Sequence, residues 1–231
     1  MHTAPPLNPR RKPGRWPLSD TGVHDHQFDD ALQQRDATSL GFWIFLSTEV
    51  MFFGGLFAAY VLYRNAYTSA FAEASRHLDI RWGTVNTGVL LLSSLCMALA
   101  VQSAQLGKQL RLLAYLAATF SLGCVFLAIK FMEYGEKFHE HLVPGFDFAL
   151  PGPNATHAQL FFILYFIMTG VHALHMVVGL CLILVLMGMA LADSFSPEYH
   201  TPVETIGLYW HFVDIVWVFL FPLLYLVDRT S

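Results

Sequence analysis

The stretch that decides the fold runs from Gln159 to Leu191 and has the sequence QLFFILYFIMTGVHALHMVVGLCLILVLMGMAL. It contains no Asp, Glu, Lys or Arg over its whole length. A helix needs about 20 mostly apolar residues to cross the hydrocarbon core of a bilayer. The stretch therefore predicts a membrane-crossing helix, and its excess length predicts that this helix tilts or protrudes from the bilayer.

Other parts of the chain have the same apolar character over a spanning length. They cover about residues 40–63, 84–106, 110–134 and 205–227. Backbone groups inside a bilayer must be hydrogen-bonded within the protein, so all of these stretches are predicted to be helices rather than open strands. The expected fold class is an all-α integral membrane protein, a bundle of five transmembrane helices.

The connections between the predicted spans differ in length. Only Gly107 to Gln109 separate the second span from the third, which predicts an antiparallel helical hairpin. Residues 65–83 are expected to form a longer polar loop. Residues 135–156 contain Pro144, Pro151 and Pro153, so we expect an irregular surface loop there.

The composition excludes a soluble fold of this size. Of the 231 residues, 55% are hydrophobic and 13% are charged, which is about half the charged fraction of an average soluble domain. The formal net charge is -4, so the chain lacks the basic field that holds a nucleic acid backbone, and no nucleic acid partner is expected. The cysteines lie inside apolar stretches and form neither a disulfide framework nor a Cys-x-x-Cys metal site.

A polar N-terminal tail, residues 1–38, precedes the predicted membrane domain of residues 39–231. Basic residues cluster in this tail and in the hairpin between the second and third spans. They are Arg10, Arg11, Lys12, Arg15, Arg35, Lys108 and Arg111. Because short cytoplasmic segments carry an excess of Lys and Arg, we expect a cytoplasmic N-terminus, and an odd number of spans then places the C-terminus on the periplasmic or outer side.

A carboxyl group lies within the first predicted span. Glu49 belongs to the run STEVMFF, which extends from Ser47 to Phe53. A carboxylate in mid-membrane costs at least about 2.5 kcal/mol on insertion scales, so Glu49 should face the bundle or a partner and have a polar neighbour. Two interpretations stay open. Glu49 is either a protonatable group with a role in proton transfer or a hydrogen-bonded structural carboxyl that fixes helix packing.

The last two spans carry further ionisable groups. His172 and His175 are three residues apart and share one face of the fourth span, whereas Asp214 lies one turn after His211 in the fifth and could pair with it. A metal site needs several ligands that converge, and a haem site needs histidines that face each other from different helices. The sequence permits a haem between His172 or His175 and His211. Histidines that only hydrogen-bond between helices are the commoner case.

Polar and aromatic residues near the predicted helix ends suggest contact with the membrane surface. Lys130, Glu133 and Lys137 lie toward the end of the third span, where Glu133 and Lys137 have the favourable i,i+4 order of an ion pair. We interpret them as a solvated helix end, with Lys130 extended toward the interface. Trp210 and Tyr225 suit the aromatic belts of a membrane protein.

Four segments of the chain carry recognisable motifs. They are YWHFVDIVWVFL at residues 209–220, GVHALHMVVG at residues 170–179, STEVMFF at residues 47–53, and KFMEY at residues 130–134 followed by LVPG at residues 142–145. Together, and in their order along the chain, they resemble subunit III of the haem–copper respiratory oxidases, the cytochrome c oxidase subunit 3 family. The absence of two initial helices found in the mitochondrial type makes the chain similar to the short five-helix bacterial form.

This resemblance, over about residues 39–228, implies a helical subunit that packs beside the catalytic subunit I. It implies an oxidase that takes electrons from cytochrome c or quinol, reduces oxygen to water and pumps protons, with haem and copper in partner subunits and none in this chain. The implied partners are subunits I and II, membrane lipid and, through the complex, cytochrome c. The implied location is the bacterial inner (plasma) membrane, in aerobic respiratory electron transport.

The resemblance also implies roles for particular residues. Subunit III of this family supports proton uptake into subunit I, binds phospholipid and protects the catalytic centre. Glu49 aligns with a glutamate that reacts with carbodiimides in relatives. His172, His175, His211 and Asp214 match motif positions whose roles are structural and lipid-related, so neither a catalytic residue nor a metal ligand is expected here. The lipid cleft that the two missing helices help to form must be completed by a partner or be absent.

Three alternatives to a cytochrome c oxidase subunit stay open. The short subunits III of quinol oxidases share this architecture, and so do accessory proteins of nitric-oxide reductase. A protein of a different class, a stand-alone b-type haem protein, would use His172 or His175 together with His211.

Overall fold

The computed structural model describes residues 31–145, 148, 155–196 and 199–226. Over these residues the chain is helical and contains no strand. The helices are α1 (Ala31–Ala66), α2 (Thr68–Ser75), α3 (Ile80–Gln105), α4 (Gln109–His139), α5 (Ala155–Leu191) and α6 (Thr201–Tyr225).

Within the described part of the chain, five helices are long and apolar enough to cross a membrane. They are α3, α4, α5, α6 and the part of α1 from Ser39 to Ala66. The predicted all-α membrane bundle is therefore confirmed, and the protein is a multi-pass membrane protein. The boundary between a tail and a membrane domain at residue 38 stays a prediction, because residues 1–30 lie outside the described residues. By internal contacts the chain divides after Phe45, and the contacts below belong to the unit from Leu46 onward.

The hairpin predicted between the second and third spans joins α3 to α4. Gly107 has a positive φ of 65°, a conformation that costs glycine little, and it ends α3. The backbone N–H of Gly107 donates to the carbonyl of Ala104 at 3.0 Å, and that of Lys108 donates to the carbonyl of Ser103 at 2.9 Å. Helix α3 packs on α4 and α6, and α5 packs on α4, α6 and α2.

The segment of residues 65–83 is not simply a loop, as the sequence had predicted, because it contains the short helix α2. Its apolar side, with Ala70, Phe71 and Ala74, is fully buried against α5. The ring of Phe71 lies 5.5 Å from the rings of both Tyr60 and Phe161. The sequence did not reveal this helix because its eight residues are too few for a clear periodic pattern. Its buried side is made of small alanines and a single large side chain, Phe71.

Trp210 lies at the centre of the bundle instead of in an interfacial belt. Its indole is fully buried and donates from Nε1 to the hydroxyl of Ser93 at 3.2 Å. Two glycines make room for the ring. A Cβ atom at Gly179 would stand 3.0 Å from the indole, and one at Gly123 would stand 2.9 Å from it. Helices α4, α5 and α6 therefore approach closely because these positions lack side chains.

We expect Gly179→Val to lower the free energy of unfolding by about 1–3 kcal/mol, because the new side chain would overlap the rigid indole of Trp210. The matched control is Gly188→Val on the same helix, where a Cβ atom would meet nothing within 4 Å. Thermal unfolding in detergent checks both variants. Equal loss of stability in the two would contradict this account of the packing.

Candidate functional site

Glu49 of α1 and His175 of α5 form a pair between these helices. The Oε2 atom of Glu49 lies 3.1 Å from the Nε2 atom of His175. Their side chains are 19% and 17% exposed, so the pair is mostly enclosed but not sealed. We expected Glu49 to have a polar neighbour, and this neighbour is His175, one of the histidines named in the sequence analysis.

The tautomer of His175 follows from its second hydrogen bond. Its Nδ1 atom lies 2.9 Å from the backbone carbonyl oxygen of Val171, which can only accept, so Nδ1 carries a proton. Two arrangements then remain at Nε2. Either a protonated Glu49 donates to it, or a protonated imidazole donates to the carboxylate. Both arrangements hold one proton between the two groups and have zero net charge, which lowers the cost of burial.

Aromatic side chains surround this proton-sharing pair. The ring of Phe53 meets the imidazole of His175 edge-on at 5.3 Å, and Phe212 lies 6.1 Å from Phe53. The hydroxyl of Tyr209 on α6 donates to the backbone carbonyl of His175 at 3.1 Å. The pair therefore lies where α1, α5 and α6 meet, beside aromatic rings.

A second polar cluster lies around Lys130 and Glu133 on α4. The sequence had placed Lys130 and Glu133 on a solvated helix end, and this prediction is wrong. The two residues are only 3% and 4% exposed, and the Nζ atom of Lys130 lies 3.0 Å from Oε2 of Glu133. Helix α4 continues to His139, so Lys130 and Glu133 do not lie at its end. The expected pair of Glu133 with Lys137 is replaced by Lys137 with Glu140 at 2.6 Å.

Two tyrosines complete the cluster around the buried ion pair. The ammonium group of Lys130 donates to the hydroxyl oxygens of Tyr165 at 3.3 Å and Tyr225 at 2.9 Å, besides Glu133. Both tyrosine hydroxyls donate in turn to Oε1 of Glu133, that of Tyr165 at 2.9 Å. All three ammonium protons and both carboxylate oxygens thus have partners. This network connects α4 to α5 and α6 and stabilises the packing of the three helices.

The sequence contained one signal for this network. Lys130 and Glu133 are i,i+3 neighbours inside an apolar stretch, and a charged pair within a span usually faces the bundle. The tyrosines could not be assigned, because their contribution depends on how α5 and α6 are rotated. Tyr225 was expected in an interfacial belt, and it is instead fully buried.

His211 and Asp214 do not pair with each other. The Nδ1 atom of His211 lies 2.7 Å from the hydroxyl of Ser94 on α3. Asp214 is 3% exposed, and among the described residues neither of its carboxylate oxygens has a hydrogen-bond partner of acceptable geometry, although Ser94 lies beside it. Ser94 thus stands between the half-buried imidazole and the buried carboxyl.

His172 lies apart from these groups, in the core. Its ring packs against Phe126 at 5.5 Å and Trp217 at 5.2 Å. Neither ring nitrogen has a hydrogen-bond partner within the part of the chain that the structure describes. His172 and His175 are three residues apart on α5 and have different surroundings, since His172 is fully buried among aromatic rings and His175 reaches Glu49.

The three histidines therefore have three different sets of neighbours. His172 contacts aromatic rings, His175 contacts Glu49, and His211 contacts Ser94. Among the described residues no group of three or more His, Cys, Asp or Glu side chains is arranged to hold a metal ion. The arrangement can share protons and connect helices through polar contacts.

Fold and site together define a helical multi-pass membrane protein in which two pairs of ionisable groups, Glu49 with His175 and Lys130 with Glu133, lie between the helices. The family model for cytochrome c oxidase subunit III matches residues 21–228. This match covers most of the chain, and the chain belongs to that family.

Curated relatives agree with the family match. The chain is 31% identical to cytochrome bo(3) ubiquinol oxidase subunit 3 of Pseudomonas aeruginosa over 210 residues, 91% of this chain and 94% of that protein. It is 31% identical to cytochrome c oxidase subunit 3 of Corynebacterium diphtheriae over 200 residues, 86% of this chain and 92% of that protein. It is also 31% identical to cytochrome c oxidase subunit 3 of Thermostichus vulcanus over 202 residues, 87% and 92% of the two chains.

We expect Lys130→Met to lower the free energy of unfolding by about 3–5 kcal/mol, because it leaves the buried carboxylate of Glu133 without its counter-ion. Lys130→Met combined with Glu133→Gln should lower the free energy of unfolding less than Lys130→Met alone, since no uncompensated buried charge remains. Unfolding midpoints in detergent for the wild type, the single variants and the double variant check this.

The control for this cycle is Lys137→Met. The partner of Lys137, Glu140, has a side chain that is 50% exposed, so the loss should be no more than about 1 kcal/mol. A double variant whose loss equals the sum of the two single losses would show that Lys130 and Glu133 do not act as one unit.

Proposed function

We propose that this chain is subunit III of a proton-pumping haem–copper terminal oxidase and works beside catalytic subunits I and II. In this proposal haem and copper belong to the partner subunits, and the chain supports proton uptake into subunit I, stabilises it and binds phospholipid. The proposal rests on membership of the family over residues 21–228. The observation that carries the proton-related part is the Glu49–His175 pair.

The pair suits a role in holding protons beside a partner. It keeps one proton in an apolar environment, and its partial exposure leaves a route for exchange with a neighbouring group. Moving the proton from Glu49 to His175 changes the charge on each group but not on the pair. Such a unit can take part in proton uptake without a redox centre of its own.

His211 supports the proposed docking to another subunit. It lies near the middle of α6, and its imidazole is half-buried, with Nδ1 engaged by Ser94. Within the described residues the Nε2 atom makes no hydrogen bond, and lipid chains offer it no partner. We therefore assign His211 to the face that meets subunit I, with the buried Asp214 behind it. His172 keeps a structural role within the bundle, whereas His175 is the partner of Glu49.

The electron donor has two candidates. The relatives with the same 31% identity include a subunit of a ubiquinol oxidase and subunits of cytochrome c oxidases. We propose cytochrome c as the donor, and quinol is the second candidate. Purification of the complex through a tag on this chain tests both, with subunit identification and with oxygen uptake driven by reduced cytochrome c or by quinol. Recovery of the chain without other oxidase subunits would contradict the whole proposal.

We also propose a location and an orientation. The protein is placed in the bacterial plasma membrane, with the N-terminus cytoplasmic and the C-terminus outside. The basic residues in the tail and the exposed Lys108 and Arg111 at the start of α4 support this orientation.

We expect Glu49→Gln to abolish carbodiimide labelling while oxidase assembly and electron transfer stay largely intact. A carbodiimide reacts with a protonated carboxyl group, and the pair with His175 supplies a protonated form of Glu49. Labelling followed by peptide mass spectrometry checks this. The control is Glu136→Gln, which removes an exposed acid of α4 and should leave labelling unchanged. Labelling that persists in Glu49→Gln would show that another carboxyl reacts.

We expect His211→Leu to weaken retention of the chain by subunit I about threefold, the effect of losing one average hydrogen bond between membrane helices. Quantitative pull-down from detergent extracts checks this. His139→Leu, at the exposed end of α4, is the control and should be retained like the wild type. Normal retention of His211→Leu would contradict the assignment of this face.

A further inference from the structure

Three polar side chains meet between α3 and α6, within the membrane-crossing part of the bundle. The hydroxyl of Ser94 lies 2.7 Å from Nδ1 of His211 and beside the carboxyl of Asp214. Asp214 is 3% exposed, and neither of its oxygens has a hydrogen-bond partner of acceptable geometry among the described residues. A buried carboxyl without a partner is destabilising, so a small rotation toward Ser94 is favourable. These three residues are called the Ser94 triad below.

The net charge of the Ser94 triad limits where its protons lie. Helix α6, which the structure describes throughout, contains no Lys or Arg. Arg81 is the one such residue of α3, which is also fully described, and it lies in the first turn, 13 residues before Ser94. Neither helix therefore places a lysine or arginine beside Asp214. Because an uncompensated charge in an apolar interior is unfavourable, arrangements of the triad with zero net charge are favoured.

Two arrangements of protons give zero net charge when Ser94 donates to one neighbour and accepts from the other. In the first, a protonated Asp214 donates to Ser94, Ser94 donates to Nδ1 of His211, and the neutral imidazole carries its proton on Nε2. In the second, an ionised Asp214 accepts from Ser94, Ser94 accepts from Nδ1, and the imidazolium carries its second proton on Nε2. Both arrangements place an N–H group at Nε2.

The remaining arrangement of this kind has no proton on Nε2. There an ionised Asp214 accepts from Ser94, and a neutral His211 donates to Ser94 from Nδ1. It leaves one negative charge without compensation inside the bundle, which makes it the least favourable of the three. The Ser94 triad therefore presents a hydrogen-bond donor, and not an acceptor, at the outer nitrogen of His211.

His211 presents this donor in the middle of an apolar surface. It is half-buried and lies ten residues from the start of α6, which is about 15 Å at a rise of about 1.5 Å per residue. Leu208 and Ile215, one turn to either side, are 45% and 55% exposed. The hydrocarbon core of a bilayer is about 30 Å thick, so water and lipid headgroups lie far from this position. Only a protein that covers this surface can supply an acceptor there.

We propose that the Ser94 triad ends in an N–H donor at Nε2 of His211, and that the partner subunit presents a hydrogen-bond acceptor to it. The acceptor is a carbonyl or carboxyl oxygen on an otherwise apolar helix face. A carbonyl fits the first arrangement, and a carboxylate fits the second because it pairs with an imidazolium. The contact rests on the proposed docking of subunit I at His211 and deepens it, whereas the donor at Nε2 does not depend on a partner.

Nitrogen NMR of the full-length chain in detergent, with isotope-labelled histidine, tests the donor. The signals of His211 are assigned by their loss in His211→Phe. A ring nitrogen that carries a proton differs in chemical shift from one that does not, so the measurement shows where the proton lies. We expect a proton on Nε2 of His211 in the wild type. A wild-type Nε2 without a proton would overturn the proposal.

Copurification of subunit I with the tagged chain tests the acceptor. The indole N–H of tryptophan can only donate, and a phenyl ring offers no such group, so His211→Trp and His211→Phe differ in the donor. We expect His211→Phe to retain about threefold less subunit I than the wild type, the effect of one average hydrogen bond between membrane helices. His211→Trp should recover at least about half of this loss.

The matched control compares the same two rings one turn away on the exposed face of α6, in Leu208→Trp and Leu208→Phe. These two variants should retain equal amounts of subunit I, because Leu208 donates no hydrogen bond. If His211→Trp retains no more subunit I than His211→Phe while the control pair is equal, the acceptor is overturned. A difference in the control pair as large as that at His211 would overturn it too, since ring size would then explain both.

The NMR measurement needs no partner, so it separates the triad from the proposed function. A proton on Nε2 in a chain that copurifies with no oxidase subunit would support the donor and contradict the proposed function. An Nε2 without a proton in a chain that copurifies with subunit I would overturn the donor and leave the proposed function intact. Equal retention of subunit I by His211→Phe and the wild type would overturn the contact at His211.

Discussion

Hydrocarbon offers no hydrogen-bond partner, so each polar group inside the bundle has to find one within the protein or at a contact with another chain. The buried pair of Lys130 and Glu133 is the strictest case. Two tyrosines complete every hydrogen bond of the pair, and each comes from a different helix. This cluster therefore fixes how α4, α5 and α6 are rotated relative to one another. Turning one helix would leave a buried charge without its hydrogen-bond partners in an apolar core.

The pair of Glu49 and His175 solves the same problem differently. The Lys130 network has fixed donors and acceptors, so its protons have no vacant acceptor to move to. In the Glu49–His175 pair the second imidazole nitrogen and the carboxyl share one proton that can belong to either group. The closed cluster is suited to stability, and the half-open pair is suited to exchange. This contrast is why we assign the proton-related role to Glu49 and not to Glu133.

The sequence predicts what depends on hydropathy and chain length, and it misses what depends on helix rotation. The five spans and the hairpin at Gly107 follow from long apolar stretches and a short link, and both are confirmed. Lys130 was assigned to a helix end because α4 extends further than its apolar part suggests. Trp210 was assigned to an interface because composition does not show the space that two glycines leave for it.

Asp214 has no hydrogen-bond partner of acceptable geometry among the described residues, and its neighbours suggest how it could gain one. Asp214 is buried beside Ser94, whose hydroxyl has a single proton to donate. If Ser94 donates that proton to Nδ1 of His211, Asp214 receives no hydrogen bond from Ser94. If His211 donates to Ser94 instead, the serine proton is free to turn toward the carboxyl. A contact at the outer nitrogen of His211 selects between these states, so docking of another subunit at this face would determine the hydrogen bonding of a carboxyl inside the bundle.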